Sequence, residues 1–275
     1  MNNTPYFDRI ASKLSKISSL FFIRKCTVCK NALWKNDTFL CADCMKLLNG
    51  AQRAKCPVCG KRAASCVCRP IFMTDTGRAG EKYISALMFY GKPDSTDEKD
   101  IAVRRIINNL KKSPDRSCVK YLASDMARII LRKLITGNEK TKNWVLCFPP
   151  RTKPRIREYG FDHSRQLILK ISEYTGIPFE DCIINNGSTL QKTLSVTKRR
   201  KNAERSYSLR DGYSAAGKKY LIFDDIITTG ATVSSCAKLL YDSGAETVFP
   251  VCIARTKPKK RKLKHRRTEN LWFRQ

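Results

Sequence analysis

The chain has 275 residues, 42% of them hydrophobic, and it sets 54 Lys and Arg against 24 Asp and Glu, for a net charge of +30. That apolar content supports a packed core in one large or two modest domains and excludes a chain disordered throughout. The charge excess favours polyanions as partners, whether nucleic acid, phosphate-rich metabolites or an anionic membrane surface.

Residues 1–25 read as one helix, because Phe7, Ile10, Leu14, Ile17 and Phe21 recur at steps of three and four. Its polar face is not densely basic, so the apolar face is expected to pack on the next domain rather than on a membrane. "SSLFFI" at 18–23 is too short for a secretory apolar region, and no small-residue cleavage site follows it. No apolar run reaches transmembrane length. A cytoplasmic protein without membrane insertion is expected.

Eight of the thirteen cysteines lie between Cys26 and Cys68. They are spaced Cys26-x2-Cys29, Cys41-x2-Cys44, Cys56-x2-Cys59 and Cys66-x-Cys68. In a reducing compartment such pairs read as metal ligands rather than disulfides, because a tight knuckle aims two thiolates at one ion. Eight thiolates suit two closed four-cysteine sites, which leave no open position for catalysis. Structural Zn2+ is expected rather than an iron–sulfur cluster. Sequential pairing is the simplest partition; the spacing does not exclude an interleaved one. This double zinc-ribbon module is assigned to residues 26–70.

Strands and helices then alternate. "KYISALMFY" (82–90) reads as a strand, "GKPDSTDEKD" (91–100) as a polar loop and "IAVRRIINNLKK" (101–112) as a helix. "VKYLASDMARIILRKLITG" (119–137) is a long helix with Gly137 at its C-terminal cap. "WVLCFPP" (144–150) is an apolar run stopped by two prolines, and "RTKPRIREYG" (151–160) a basic loop. "FDHSRQLILKISEYTG" (161–176) reads as a helix and "DCIINN" (181–186) as a short strand. "KKYLIFDD" (218–225), "GATVSSCAKLLYDSG" (230–244) and "ETVFPVCIAR" (246–255) read as strand, helix and strand. This order predicts an α/β domain over 80–255, a parallel sheet with flanking helices. Residues 256–275 hold nine Lys and Arg against one Glu and read as a disordered basic tail. Without the tail the charge is still about +22.

"LIFDDIITTGATVSS" (221–235) carries the chemistry. The apolar strand delivers Asp224 and Asp225 to the carboxyl edge of the sheet, where ligands of open α/β sheets bind. Thr228, Thr229, Gly230, Ala231 and Thr232 then lead into a helix whose N-terminal N–H groups suit a phosphate. Carboxylates and a phosphate cradle repel the same atoms, so they must address different parts of one ligand. Sugar hydroxyls and a 5′-phosphate fit that division, and Mg2+ offsets the charge.

"LIFDDIITTGAT" resembles the phosphoribosyl-pyrophosphate (PRPP) motif of type I phosphoribosyltransferases. With "CTVC…CADC…CPVCG…CVC", "FYGK", "NLKK", "REYGFDHSRQL" and "STLQKTLSVTKRRKN", the chain from about residue 20 to 255 resembles the ComF family of competence protein F-like phosphoribosyltransferases. The resemblance implies that Asp224 and Asp225 hold the ribose hydroxyls. It places Thr228, Thr229, Gly230, Ala231 and Thr232 at the 5′-phosphate, and Arg151 and Arg157 near the pyrophosphate. Gln191, Leu194, Ser195, Arg199 and Asn202 match a Q-x-x-L-S-x-x-x-R-x-x-N pattern, a loop over the site. Against the family's R-x-R-G-F-N-Q run, this chain has Tyr159, Asp162 and His163 in place of Arg, Asn and Gln. His163, early in a helix, reads as a surface or capping residue rather than an acid or base. The implied ligand is PRPP or another ribose 5-phosphate compound. Single-stranded DNA and the competence machinery are the implied macromolecular partners. Transfer, DNA handling and PRPP-dependent regulation stay open as roles, and so does the oligomeric state.

Overall fold

The computed structural model describes residues 24–34, 38–68, 84–113, 115–187 and 206–258, apart from the side chains of Lys153, Arg155 and Tyr159. The expected N-terminal helix, the basic tail beyond 258, and Gln191, Leu194, Ser195, Arg199 and Asn202 lie outside the described residues.

Four strands form the central sheet: β1 (Ser85–Tyr90), β2 (Trp144–Cys147), β5 (Lys219–Ile227) and β6 (Thr247–Thr256). Their order is β1-β6-β5-β2, and every neighbouring pair is parallel. Such a sheet needs cover on both faces, which explains its near-continuous apolar strands. Leu221 and Phe223 point into one core and Tyr220 and Ile222 into the other, as the period of two requires. On the first face pack α2 (Glu98–Lys112), α3 (Arg116–Thr136) and α5 (His163–Thr175), through Ile106, Ile107, Leu122, Met126, Leu167 and Ile171. On the second face α6 (Ala231–Asp242) packs through Val233, Cys236 and Leu240.

The cysteine region is divided between the two faces. Cys26 and Cys44 join the first core, beside Val28, Phe39 and Leu48. Cys56 and Cys66 join the second, beside Ala63, Ile84 and Phe89. Between them runs α1 (Ala42–Arg53), a helix that the cysteine spacing concealed. Gln52 on α1 donates to Asp125 on α3 at 2.7 Å, and Arg24 pairs with Asp115 at the start of α3.

Several elements differ from the sequence reading. β5 runs two residues beyond the aspartate pair, because its pairing with β6 continues to Ile227 opposite Arg255. The basic loop 151–160 contains a short helix, α4 (Lys153–Tyr159), closed by Gly160 at φ 74°. The strand read at 181–186 is real but lies outside the main sheet. It is β3 (Ile183–Asn185), paired antiparallel with β4 (Tyr207–Leu209) in a separate hairpin. Gly137 does cap α3, although the left-handed turn falls on the next residue, Asn138, at φ 53°.

Gly91 follows β1 in the "FYGK" stretch, and a Cβ there would lie 2.1 Å from Asp100 Oδ2. The missing side chain lets the buried Asp100 carboxylate reach Lys257 at 2.8 Å and Ser95 at 2.8 Å, joining the start of α2 to the end of β6. Gly91→Ala is therefore expected to lower stability by about 1–3 kcal/mol through overpacking. Urea unfolding measures this, and an unchanged midpoint would contradict the packing described.

Candidate functional site

The carboxyl ends of β2 and β5 face a cleft of about 390 Å³. Its walls come from distant parts of the chain. Asp224 and Asp225 belong to β5, Thr232 to the first turn of α6, and Lys111 to the end of α2. Pro149, Pro150, Arg151 and Thr152 follow β2, His163 and Ser164 open α5, and Asn185 and Tyr207 come from the hairpin. Asn185 Nδ2 donates to the Pro150 carbonyl at 2.9 Å, which fixes the hairpin against the loop after β2.

The two aspartates have different partners. Asp225 is buried, and its Oδ2 accepts from His163 Nε2 at 2.8 Å and lies 2.9 Å from Lys111 Nζ. Its Oδ1 accepts the Ile226 backbone N–H at 2.7 Å. Burial alone would push Asp225 up, but the His163 hydrogen bond and the Lys111 charge hold its carboxyl well below the ordinary carboxylate range. Asp224 makes no ion pair among the described residues, and its Oδ1 accepts the neighbouring Asp225 N–H at 2.8 Å. Burial and then the Asp225 charge push Asp224 well above the ordinary range. The pair is thus one anchored carboxylate and one spare carboxylate facing the cleft.

His163 is 1% exposed, so the expectation of a surface or capping residue is corrected. The cap is Asp162, whose side chain accepts from the N–H groups of Ser164 and Arg165. That frees the next side chain to turn inward. Asp225 only accepts, so His163 Nε2 carries the proton, and its Nδ1 is buried without a partner. The Arg151 guanidinium lies 3.3 Å from the same Nε2.

Gly230 adopts φ 81° at the N-cap of α6 and has no side chain of its own to cap that helix. Thr232 reaches the cleft, the Ala231 N–H donates to Thr229 Oγ1 at 3.5 Å, and Thr228 is exposed. The first turn of the helix lies beside the spare carboxylate, where N–H groups suit an anion. Arg151 lines the cleft, while Arg157 is exposed on α4 and is not among the described lining residues. Lys111, His163, Asn185 and Tyr207 were not assigned to the site from sequence. Only "NLKK" and the rarity of histidine, two in the chain, marked any of them.

The eight cysteines gather in sequential order. Cys26, Cys29, Cys41 and Cys44 form one group and Cys56, Cys59, Cys66 and Cys68 the other, with the sulfurs of each group within 4.8 Å of one another. The separations are 3.6 Å for Cys29–Cys41, 3.8 Å for Cys56–Cys68 and 3.6 Å for Cys59–Cys66. A tetrahedral ion with sulfur at about 2.3 Å places its ligands about 3.8 Å apart, so both groups fit a four-thiolate metal. Each is entered by the same knuckle. Lys30 and Gly60 follow the second cysteine at φ 68° and 70°, and their N–H groups donate to the carbonyls of Cys26 and Cys56 at 3.0 Å.

DNA utilization protein YhgH of Salmonella typhimurium is 26% identical over 240 residues, 84% of this chain and 96% of that protein. Competence protein ComFC of Streptococcus pneumoniae is 23% identical over 223 residues, 81% of this chain and 90% of that protein. The chain is ComF-like. No protein-family model matches this ComF-like chain. Among solved structures, a hypoxanthine phosphoribosyl transferase of Trypanosoma cruzi is 14% identical across 52% of this chain and 67% of that one, with a TM-score of 0.36. Among the described residues no helix is long and apolar enough to cross a membrane.

The unequal aspartates make opposite predictions. Asp225→Asn strands Lys111 and His163 and is expected to cost about 3 kcal/mol. Asp224→Asn removes a repelled, half-buried charge at constant shape and is expected to stabilise the protein without ligand by about 1 kcal/mol. Because the folded state holds Asp225 low, its contribution is complete above about pH 4 and is lost as pH falls below that. Urea unfolding at pH 7 and at lower pH tests both. Equal costs for the two variants would contradict the asymmetry.

Proposed function

We propose that this protein binds PRPP, or a closely related ribose 5-phosphate compound, in the cleft at the end of β5. The observation that carries the reading is the spare Asp224 carboxylate beside an anchored Asp225 and a helix start that opens on Gly230. Asp224 would accept hydrogen bonds from the ribose hydroxyls. The N–H groups from Gly230 onward and the Thr232 hydroxyl would donate to the 5′-phosphate. Arg151 and Lys111 supply positive charge on the cleft wall for the remaining phosphates.

The oxygen donors of Asp224 suit Mg2+ arriving with the ligand, and the charge it adds would relieve the repulsion between the aspartates. Displacing pyrophosphate from the anomeric carbon develops positive charge on the sugar. A carboxylate pair fixed beside the sugar favours such a step. The names of the relatives, a competence protein and DNA utilization proteins, favour a role in which the bound ribose phosphate serves the handling of DNA. Zn2+ in both thiol groups and a cytoplasmic location accord with thirteen free cysteines.

Thermal shift with millimolar PRPP and Mg2+ tests the proposal. Stabilisation of about 2.7 kcal/mol is expected at a hundredfold excess over Kd. Asp224→Asn, folded and no less stable than the parent, should abolish the shift. No shift in the parent protein would overturn the proposal.

A further inference from the structure

Arg255 is the one buried lysine or arginine among the described residues, at 2% exposure. It forms no ion pair with a carboxylate among those residues. An unpaired buried guanidinium is costly, and carbonyl dipoles alone do not neutralise it. Its surroundings point to the missing counter-charge. Nη1 donates to the Cys66 carbonyl at 3.4 Å and Nη2 to the Cys68 carbonyl, while Nε is buried without a partner. Cys66 and Cys68 belong to the second thiol group. Arg255 is held there by the sheet, opposite Phe89 on β1 and Ile227 on β5.

A divalent ion with four thiolates carries two negative charges in excess. Two of the four cysteines are buried in each group, and at the second Cys56 and Cys66 lie in the sheet core, where water screens that charge poorly. The first group instead has the exposed Lys30 and Arg105 around it, Arg105 donating to the Val28 carbonyl at 2.7 Å. We propose that Arg255 is the built-in counter-charge of a metal held by Cys56, Cys59, Cys66 and Cys68, and that the first site does without an equivalent. This rests on reading the thiol groups as zinc sites. The guanidinium touches no metal. It acts through the ligands' backbone carbonyls, slowing release of the ion.

The test uses the purified full chain with metal analysis and chelator-driven zinc release. The parent should hold two zinc ions per chain. Arg255→Gln keeps a polar group near the carbonyls and removes the charge. It should release one of the two ions at least tenfold faster and leave the other unchanged, whereas Arg255→Lys should release both at close to the parent rates. If Arg255→Gln does not fold, adding Cys68→His, which makes the site three thiolates and a neutral imidazole, should restore a folded protein. Parental release rates in Arg255→Gln, equal acceleration at both sites, or no restoration by Cys68→His would overturn the proposal and leave the zinc reading standing. A parent chain without zinc would overturn the zinc reading itself, and the proposal with it.

Discussion

The site depends on one buried carboxylate. Asp225 lies where α2, α5 and β5 converge, and it is stable there because Lys111 and His163 reach it from two different helices. A charge taken out of water needs such partners. Once it has them, it fixes the far end of α2 and the start of α5 to the edge of the sheet. Among the described residues it also leaves Asp224, one residue earlier, with no ion pair of its own. Burial and the Asp225 charge both raise the Asp224 carboxyl. Under the proposed function, a ligand bringing hydroxyls and a cation would relieve the repulsion between the two.

The two cysteine knuckles act on the same sheet from opposite sides. The first is packed with α2 and α3, and the second with β1 and the edge of β6. A small apolar core carries the first knuckle, through Val28, Phe39 and Leu48. The second has fewer large side chains and relies on Ala63, Phe89 and the Arg255 contacts. A metal in either group would cross-link segments that hydrophobic burial alone holds loosely. The end of β6 matters to the ligand cleft as well, because Arg255 is in register with Ile227, two residues past Asp225.

What was legible in the sequence was contiguous. The strand, the aspartate pair and the Thr-Thr-Gly-Ala-Thr turn occupy one short run, and the cysteine pairs advertise their own geometry. What was hidden depended on tertiary contact. Lys111 lies in the last turn of a helix, and only the tertiary contact with β5 pairs it with Asp225. His163 reads as a cap until Asp162 is seen to hold that place. The hairpin strands are three residues each, too short for a period to show. Asp224 and Asp225 looked like the end of β5 because aspartate is disfavoured in strands, yet pairing with β6 carried the strand two residues further.

The central claim is the division of labour between adjacent aspartates, and a structure of the protein with PRPP and Mg2+ tests it most directly. The account predicts ribose hydroxyls within hydrogen-bond distance of Asp224 and the 5′-phosphate at residues 230–232. The contacts of Asp225 to Lys111 and His163 should be unchanged. A ribose seated on Asp225 with Lys111 and His163 displaced, or a phosphate away from the start of α6, would contradict it.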